Sequence, residues 1–113
     1  MRRSRRDDSG ASRRGQSAQA WSLFGMGRLL VTPAALAHLA GNAVSPAELL
    51  RKHGAGDWGD LCAEDMEANV SALKHGGRIL SAYEVAGQRI YVITQAASDK
   101  GQRSATTLLL AEE

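Results

Sequence analysis

His53-Gly54-Ala55-Gly56-Asp57-Trp58-Gly59-Asp60 is the stretch on which the organisation of this chain depends. It holds three glycines, two carboxylates, one histidine and one of the two tryptophans, and it separates two segments with helical patterns. A short connection between helices constrains how the elements on either side of it pack. We therefore expect this stretch, which we name the 53–60 joint, to be the first place to look for function.

Two short helices are predicted before the joint. Thr32-Pro33 and Ser45-Pro46 each combine an N-cap residue with a proline at the first helical position. Glu48 follows that serine by three residues and completes a capping box. Gly41-Asn42 is expected to end the first helix and Gly54 the second, because these residues accept a positive φ.

A longer helix is predicted after the joint, from Leu61 to His75, with Asp60 as its N-cap. Apolar residues recur along it at helical spacing and predict the face that packs on the core. This predicted stripe comprises Leu61, Ala63, Met66, Val70, Ala72 and Leu73, with Asn69 among them. Cys62 is expected to be a small buried hydrophobe.

The pattern changes to period two after residue 77. Residues 79–85 and 89–94 alternate β-branched and aromatic side chains around the turn Ala86-Gly87-Gln88, which predicts a β-hairpin. Residues 104–110 predict a third strand. The fold class is therefore α+β, with two short helices and one longer helix packed on a three-stranded antiparallel β-meander.

Two features of this predicted sheet stay open. The apolar run Leu29-Leu30-Val31 is either a strand or an extended lead-in. The third strand would form an edge of the sheet, and its run Leu108-Leu109-Leu110 puts apolar side chains on both faces. Such an edge either pairs with another chain, as in a homodimer, or is covered by the N-terminal segment.

Charge divides the chain into two parts. Residues 1–25 hold six of the 14 basic residues and two of the 12 acidic ones, which leaves eight bases and ten acids in residues 26–113. We predict a disordered basic tail over residues 1–25 and a single small α+β domain over residues 26–113, with Met26 as a second candidate start. The mildly acidic domain is a poor fit to nucleic-acid phosphates, whereas the arginine-rich tail could contact RNA or DNA.

Composition also restricts the cellular setting. Cys62 is the only cysteine, so no internal disulfide can form, and a cytoplasmic location is expected. The apolar runs are far shorter than the roughly 20 residues that cross a bilayer, so we predict no membrane association.

A family resemblance covers residues from about Leu29 to Glu112. It is carried by TPAAL (32–36), SP (45–46), RKH (51–53), GDWGDL (56–61), ED (64–65), Asn69, AL (72–73), GRILSAY (77–83), YVIT (91–94) and TTLLL (106–110). In these pieces the chain resembles small bacterial proteins of plasmids, phages and integrated elements, labelled "plasmid-related protein" or "type I restriction endonuclease subunit M". The resemblance implies an accessory protein of a mobile element. The methylase label does not fit, because 88 residues are too few for that cofactor-binding domain.

The 53–60 joint offers candidate chemistry and a structural alternative. His53, Asp57 and Asp60 could ligate a divalent metal, and His53 with Asp57 could act as an acid–base pair. Alternatively, the aspartates cap a turn and a helix, and Trp58 anchors the core. The structural alternative is favoured, since the spacing fits no metal motif, and we predict no cofactor, no metal and no catalytic residue.

A second candidate surface lies outside the joint. Glu64 and Asp65 begin an acidic ridge on the long helix, and Tyr83 and Tyr91 on the hairpin form either a cross-strand pair or a stacking face. We expect a non-enzymatic protein-interaction module that binds a host or element-encoded protein. The alternatives are a small metal-dependent or acid–base enzyme centred on the joint, and nucleic-acid binding through the tail.

Overall fold

Four strands and three helices make up residues 22–113, the part of the chain that this computed structural model describes. In chain order they are β1 (Arg28–Val31), α1 (Pro33–Gly41), α2 (Pro46–Gly54), α3 (Ala63–His75), β2 (Ile79–Val85), β3 (Gln88–Thr94) and β4 (Ala105–Leu110). The α+β class is confirmed. The predicted disorder of the tail falls mainly on residues 1–21, which lie outside the described range.

The sheet is larger than the predicted three-stranded meander. Its order is β1–β4–β3–β2, and β2, β3 and β4 are antiparallel neighbours as expected. The apolar run at residues 29–31 forms part of β1, which pairs in parallel with β4 from Arg28↔Ala105 to Val31↔Leu108. The prediction of a three-stranded antiparallel sheet is therefore wrong. The N-terminal segment covers the β4 edge, which closes it to a second chain.

The first two helix starts are confirmed by their caps. The Thr32 side chain accepts a hydrogen bond from the Ala35 amide at 3.2 Å, and Ser45 forms a complete capping box with Glu48. The third start is shifted, because α3 begins at Ala63 after an N-cap residue that makes no side-chain cap hydrogen bond. Asp60 was therefore wrongly predicted as the cap.

The chain reverses where the sequence predicts turns, but the positive φ angles after α1 and α2 fall elsewhere. Ala86 and Gly87 have φ values of 48° and 81°, as a two-residue hairpin turn of type I′ requires. After α1 the positive φ belongs to Ala43 (57°), not to the predicted Gly41-Asn42. After α2 the positive φ belongs to Gly56 (90°), not to Gly54. Gly76, at 82°, ends α3 as expected.

The helices cover one face of the sheet. A first core cluster joins α1 and α2 to the central strands through Leu39, Leu49, Tyr83, Ile90, Val92 and Leu108. A second cluster joins the joint, α3 and the start of β2 through Trp58, Ala72 and Ile79. The opposite sheet face contributes no residue to either cluster. We name it the open face; it comprises Leu30, Leu80, Ala82, Tyr91, Ile93, Thr107 and Leu109.

The third helix packs differently from its predicted stripe. Only Asn69 and Ala72 of α3 are buried, whereas Met66 and Val70 are 38% and 51% exposed. The prediction that these two apolar side chains face the core is therefore wrong. Cys62, predicted to be buried, is exposed. No helix within residues 22–113 is long and apolar enough to cross a membrane.

Candidate functional site

The 53–60 joint places its histidine in the centre of the molecule. His53 lies in the last turn of α2, whose amphipathic face turns it towards the sheet, and it is 0% exposed. Its Nδ1 lies 2.5 Å from Ser81 Oγ on β2, and its Nε2 lies 2.9 Å from Thr94 Oγ1 on β3. The imidazole therefore ties one helix to two neighbouring strands.

The hydrogen bonds continue through the core and set the direction of each proton. Thr94 Oγ1 lies 2.7 Å from Thr106 Oγ1, which donates to the Met26 carbonyl at 2.8 Å. A carbonyl can only accept, so Thr106 has no proton left and the Thr94 hydroxyl must donate to it. Thr94 then accepts from His53 Nε2–H, and His53 Nδ1 accepts from Ser81. We name this chain of five groups the buried relay.

This arrangement holds the imidazole neutral. Burial lowers the pKa of His53 from 6.5 to about 4, because an imidazolium loses its hydration in the core. Its two hydrogen bonds also suit the neutral Nε2–H tautomer. The hydroxyl of Ser81 donates to Nδ1; if Nδ1 carried a proton, the hydroxyl would have to turn and accept instead, and its own proton would need another acceptor.

A serine hydroxyl next to a histidine suggests nucleophilic catalysis, but the geometry does not support it. Ser81 and His53 are both completely buried. Neither residue lines the groove beside α2 or the one beside the end of α3, and neither side chain is exposed for a substrate to reach. The other imidazole nitrogen faces a threonine rather than the carboxylate that orients a catalytic base. The contacts explain a structural role: they satisfy polar groups that the core would otherwise leave unpaired.

The two aspartates of the joint point to solvent and have different partners. Asp57 Oδ1 accepts a 3.3 Å hydrogen bond from the Gly59 amide, and its backbone carbonyl accepts one from the Tyr83 hydroxyl at 2.6 Å. Asp60 forms an ion pair with Arg89 at 3.5 Å and is 74% exposed. His53 and the aspartates therefore do not converge. Among residues 22–113 there is no group of three His, Cys, Asp or Glu side chains placed to hold a metal ion.

Trp58 takes the anchoring position expected for it. Its ring is buried and packs on Ala72 and Ile79. Phe24 stacks on it with ring centroids 6.4 Å apart and meets the His53 ring edge-on at 5.3 Å. Phe24 belongs to the predicted tail, so at least part of residues 22–25 packs against the domain.

The joint also closes the outer edge of β2. The Ala82 amide donates to the Trp58 carbonyl at 3.0 Å, and the Ala82 carbonyl accepts from the Asp60 amide at 2.7 Å. Gly59 has a φ of 76°, and a Cβ on it would lie 2.1 Å from the Ala82 carbonyl. Only glycine therefore allows the two backbones to approach this closely.

Asn69 completes this edge and was not identified as a functional position from the sequence. Its side-chain amide donates to the Leu80 carbonyl at 2.7 Å and accepts from the Leu80 amide at 3.0 Å. One side chain thus replaces a neighbouring strand for that residue. The signal that could have identified it is a single polar amide among the apolar residues of the predicted stripe.

A shallow groove of about 610 Å³ lies between α2 and the start of the hairpin turn. Its lining carries the acids Glu48, Asp60 and Glu84 against the base Lys52, whose ammonium lies 5.8 Å from the Tyr83 ring. Burial raises the pKa of Tyr83 to about 12, so its hydroxyl stays neutral. Nothing in this lining pairs a nucleophile with a base.

The predicted interaction residues separate into three places. Glu64 and Asp65 are exposed in the first turn of α3. Tyr83 lies in the core, opposite Ile90, whereas Tyr91 lies on the open face opposite Ala82. Adjacent residues of a strand point to opposite faces, so the predicted pairing or common stacking face of the tyrosines is wrong. Tyr91 instead has the Arg89 guanidinium 5.7 Å from its ring.

Comparison with known proteins identifies no relative of this chain. No protein-family model, no curated protein and no solved structure matches the chain.

Proposed function

We propose that this protein is a non-enzymatic interaction module that binds a basic, apolar segment of another protein along α3. The observation that carries the proposal is the way α3 is attached: it buries Asn69 and Ala72 and leaves Met66 and Val70 exposed. A helix whose apolar residues face solvent offers the surface that helix-recognising partners use.

The exposed apolar residues of α3 form one continuous stripe. Met66 and Val70 are four residues apart and therefore lie one above the other on the helix. Ala63 precedes them by three residues and the half-buried Leu73 follows by three, so the stripe is roughly 15 Å long. We name these four residues the α3 stripe. Its length matches about three turns of a partner helix.

The charges beside the stripe indicate the chemistry of the partner. Glu64 and Glu67 lie on the solvent side of α3, and Asp65 lies in the first turn, whereas the bases Lys74 and His75 are confined to the last turn. Acids near a helix N-terminus also stabilise the helix itself, so they alone would not indicate binding. Combined with the α3 stripe, they favour a partner with apolar residues flanked by lysine or arginine.

The competing functions have less support. An enzyme centred on the joint would need His53, which is inaccessible, and aspartates that point elsewhere. Nucleic-acid binding by the domain would need a basic face, whereas residues 26–113 have two more acids than bases. The part played in a mobile element rests on the family resemblance of residues 29–112.

Affinity capture with the full-length protein as bait tests the proposal, followed by titration calorimetry with each purified candidate. Val70→Lys and the double variant Glu64→Lys/Asp65→Lys are expected to weaken binding by roughly tenfold or more. Leu36→Lys is the matched control, since Leu36 on α1 is 48% exposed and remote from the stripe. A partner that binds the α3 variants as tightly as the wild type would refute the proposal.

A further inference from the structure

The open face is an apolar surface that no described element covers. A row of four side chains crosses the whole sheet, because Leu30 pairs with Thr107, Thr107 with Ile93, and Ile93 with Leu80. A second row adds Leu109 and Tyr91, which are half-buried, and ends at Ala82, which is completely buried where β2 meets the joint. Leu30 on the edge strand β1 is 42% exposed. The large side chains of the two inner strands, Tyr91, Ile93 and Leu109, are half-buried. An antiparallel sheet whose second face meets water normally carries polar residues there.

We propose that the open face binds the open face of a second copy of this chain, in a symmetric face-to-face dimer. Two sheets with apolar faces pack about 10 Å apart with their strands roughly aligned. The dimer would have four layers, with both sheets inside and both sets of helices outside. This surface is separate from the α3 stripe, so the dimer does not depend on the proposed partner.

The charges around the open face favour a second copy as the occupant. Arg28 at the start of β1 and Arg78 just before β2 are exposed at one end of the strands. Glu84 is exposed near the end of β2, and Glu113 accepts a hydrogen bond from Thr32 beyond the end of β1. The basic and acidic ends are thus complementary to each other, which is what a self-association surface requires.

One symmetry axis satisfies this pattern. A twofold axis running across the strands stacks β2 on the partner's β2 in the opposite direction. Arg78 of one copy then faces Glu84 of the other, and the same contact occurs twice. Arg89 lies opposite Glu84 on β3, but its guanidinium is already ion-paired with Asp60.

The size of the surface predicts the strength of the dimer. Four strands about 4.8 Å apart and about six residues long present roughly 400 Å². This is as large as the largest apolar patches of ordinary monomers, but it is about half of the area that each partner contributes to a standard interface. We therefore expect a dissociation constant in the micromolar range.

Sedimentation equilibrium of the full-length protein between about 1 and about 500 μM tests the dimer. The wild type is expected to change from monomer to dimer across this range. Arg78→Glu should weaken the dimer by roughly tenfold or more, and Arg78→Glu/Glu84→Arg should restore it to within roughly threefold. Val70→Lys, on α3, is the control that leaves the dimer unchanged. Circular dichroism of each variant confirms its fold.

Several results would overturn the dimer. One is a wild type that stays monomeric at the highest concentration; another is a double variant that is no tighter than the single one. Loss of the dimer in the Val70→Lys control would assign self-association to α3 instead. Fluorescence anisotropy with a labelled oligothymidine tests the other occupant. The contrary outcome is a monomer that binds the single-stranded oligonucleotide and a Tyr91→Ala variant that no longer binds it. That outcome would assign the open face to base stacking and replace the proposal.

Discussion

Acidification from pH 7 to pH 4 should lower the free energy of unfolding by about 3 kcal/mol through His53 alone. The folded protein holds this imidazole neutral down to a pKa of about 4, whereas the unfolded chain protonates it near 6.5. A difference of one pKa unit is worth about 1.4 kcal/mol, so the roughly 2.5 units available set a limit near 3.4 kcal/mol. The free energy of unfolding of a typical domain is about 5–15 kcal/mol, so the loss through His53 would be a large fraction of it.

The direction of the effect follows from proton binding. Between pH 6.5 and pH 4 the unfolded chain carries a proton on this histidine that the folded protein does not. Stability therefore rises with pH across that window, is fully present above 6.5, and stops falling below about 4. In the middle of the window the slope should approach about 1.4 kcal/mol per pH unit.

Urea unfolding at several pH values measures this slope. His53→Gln removes the titrating group, so its curve should lack this pH dependence even though its stability is lower at every pH. His75→Gln, at an exposed position in the last turn of α3, is the matched control for replacing a histidine. Equal slopes for the wild type and His53→Gln would refute the reasoning.

A spectroscopic measurement covers the case in which His53→Gln does not fold. Nitrogen-15 chemical shifts of the wild-type imidazole should show the Nε2–H tautomer at neutral pH, with Nδ1 accepting a hydrogen bond. The buried relay requires this tautomer, because its last acceptor is the Met26 carbonyl. A His53 that titrates near 6.5, or that carries its proton on Nδ1, would contradict the assignment.

Three further predictions concern the outer edge of β2 and the start of α3, and urea unfolding measures each. Gly59→Ala should cost roughly 3 kcal/mol, because its Cβ would collide with the Ala82 carbonyl, whereas Gly101→Ala, with a similar φ but open space, should cost about 1; similar losses would argue against the collision. Asn69→Ala should cost about 2–4 kcal/mol by leaving a backbone amide and carbonyl of β2 unpaired; a loss below 1 would indicate that water replaces the side chain. Cys62→Ser should add about 0.5–1 kcal/mol by supplying the missing cap of α3, and no gain would mean that the serine hydroxyl does not reach the helix amides.

The features that could be predicted from the sequence are those that depend on neighbours in the chain. Thr32 and Ser45 begin their helices by accepting hydrogen bonds from backbone amides two to three residues later in the chain. The hairpin likewise depends on one short turn. Strand β1 could not be predicted with the same certainty. Its four residues become a strand only by pairing with β4, more than 70 residues later. The three-residue apolar run within it carries no information about such a distant neighbour.

The role of His53 shows the same limit at the candidate site. Its position near the end of a helix is ordinary for a cation, and the neighbouring glycines and aspartates suggest chemistry. Its actual partners, Ser81 and Thr94, come from two strands whose register is set by the whole sheet. Periodicity can place these residues on one face of the sheet, but it cannot show which helical side chain lies above them.

The long helix α3 shows that an apolar stripe predicts a contact but does not identify the partner of that contact. α3 turns Asn69 rather than Met66 towards β2, because the edge of that strand needs a donor and an acceptor more than another apolar contact. The α3 stripe is therefore left for another partner.

In the proposed dimer β2 stacks on β2, so both copies carry α3 along the same side of the assembly. A partner with two binding segments would then bind both helices at once, and the second contact would form at the high effective concentration of a tethered site. Arg78→Glu, three residues beyond the end of α3 and outside the α3 stripe, should consequently weaken such a partner as well as the dimer.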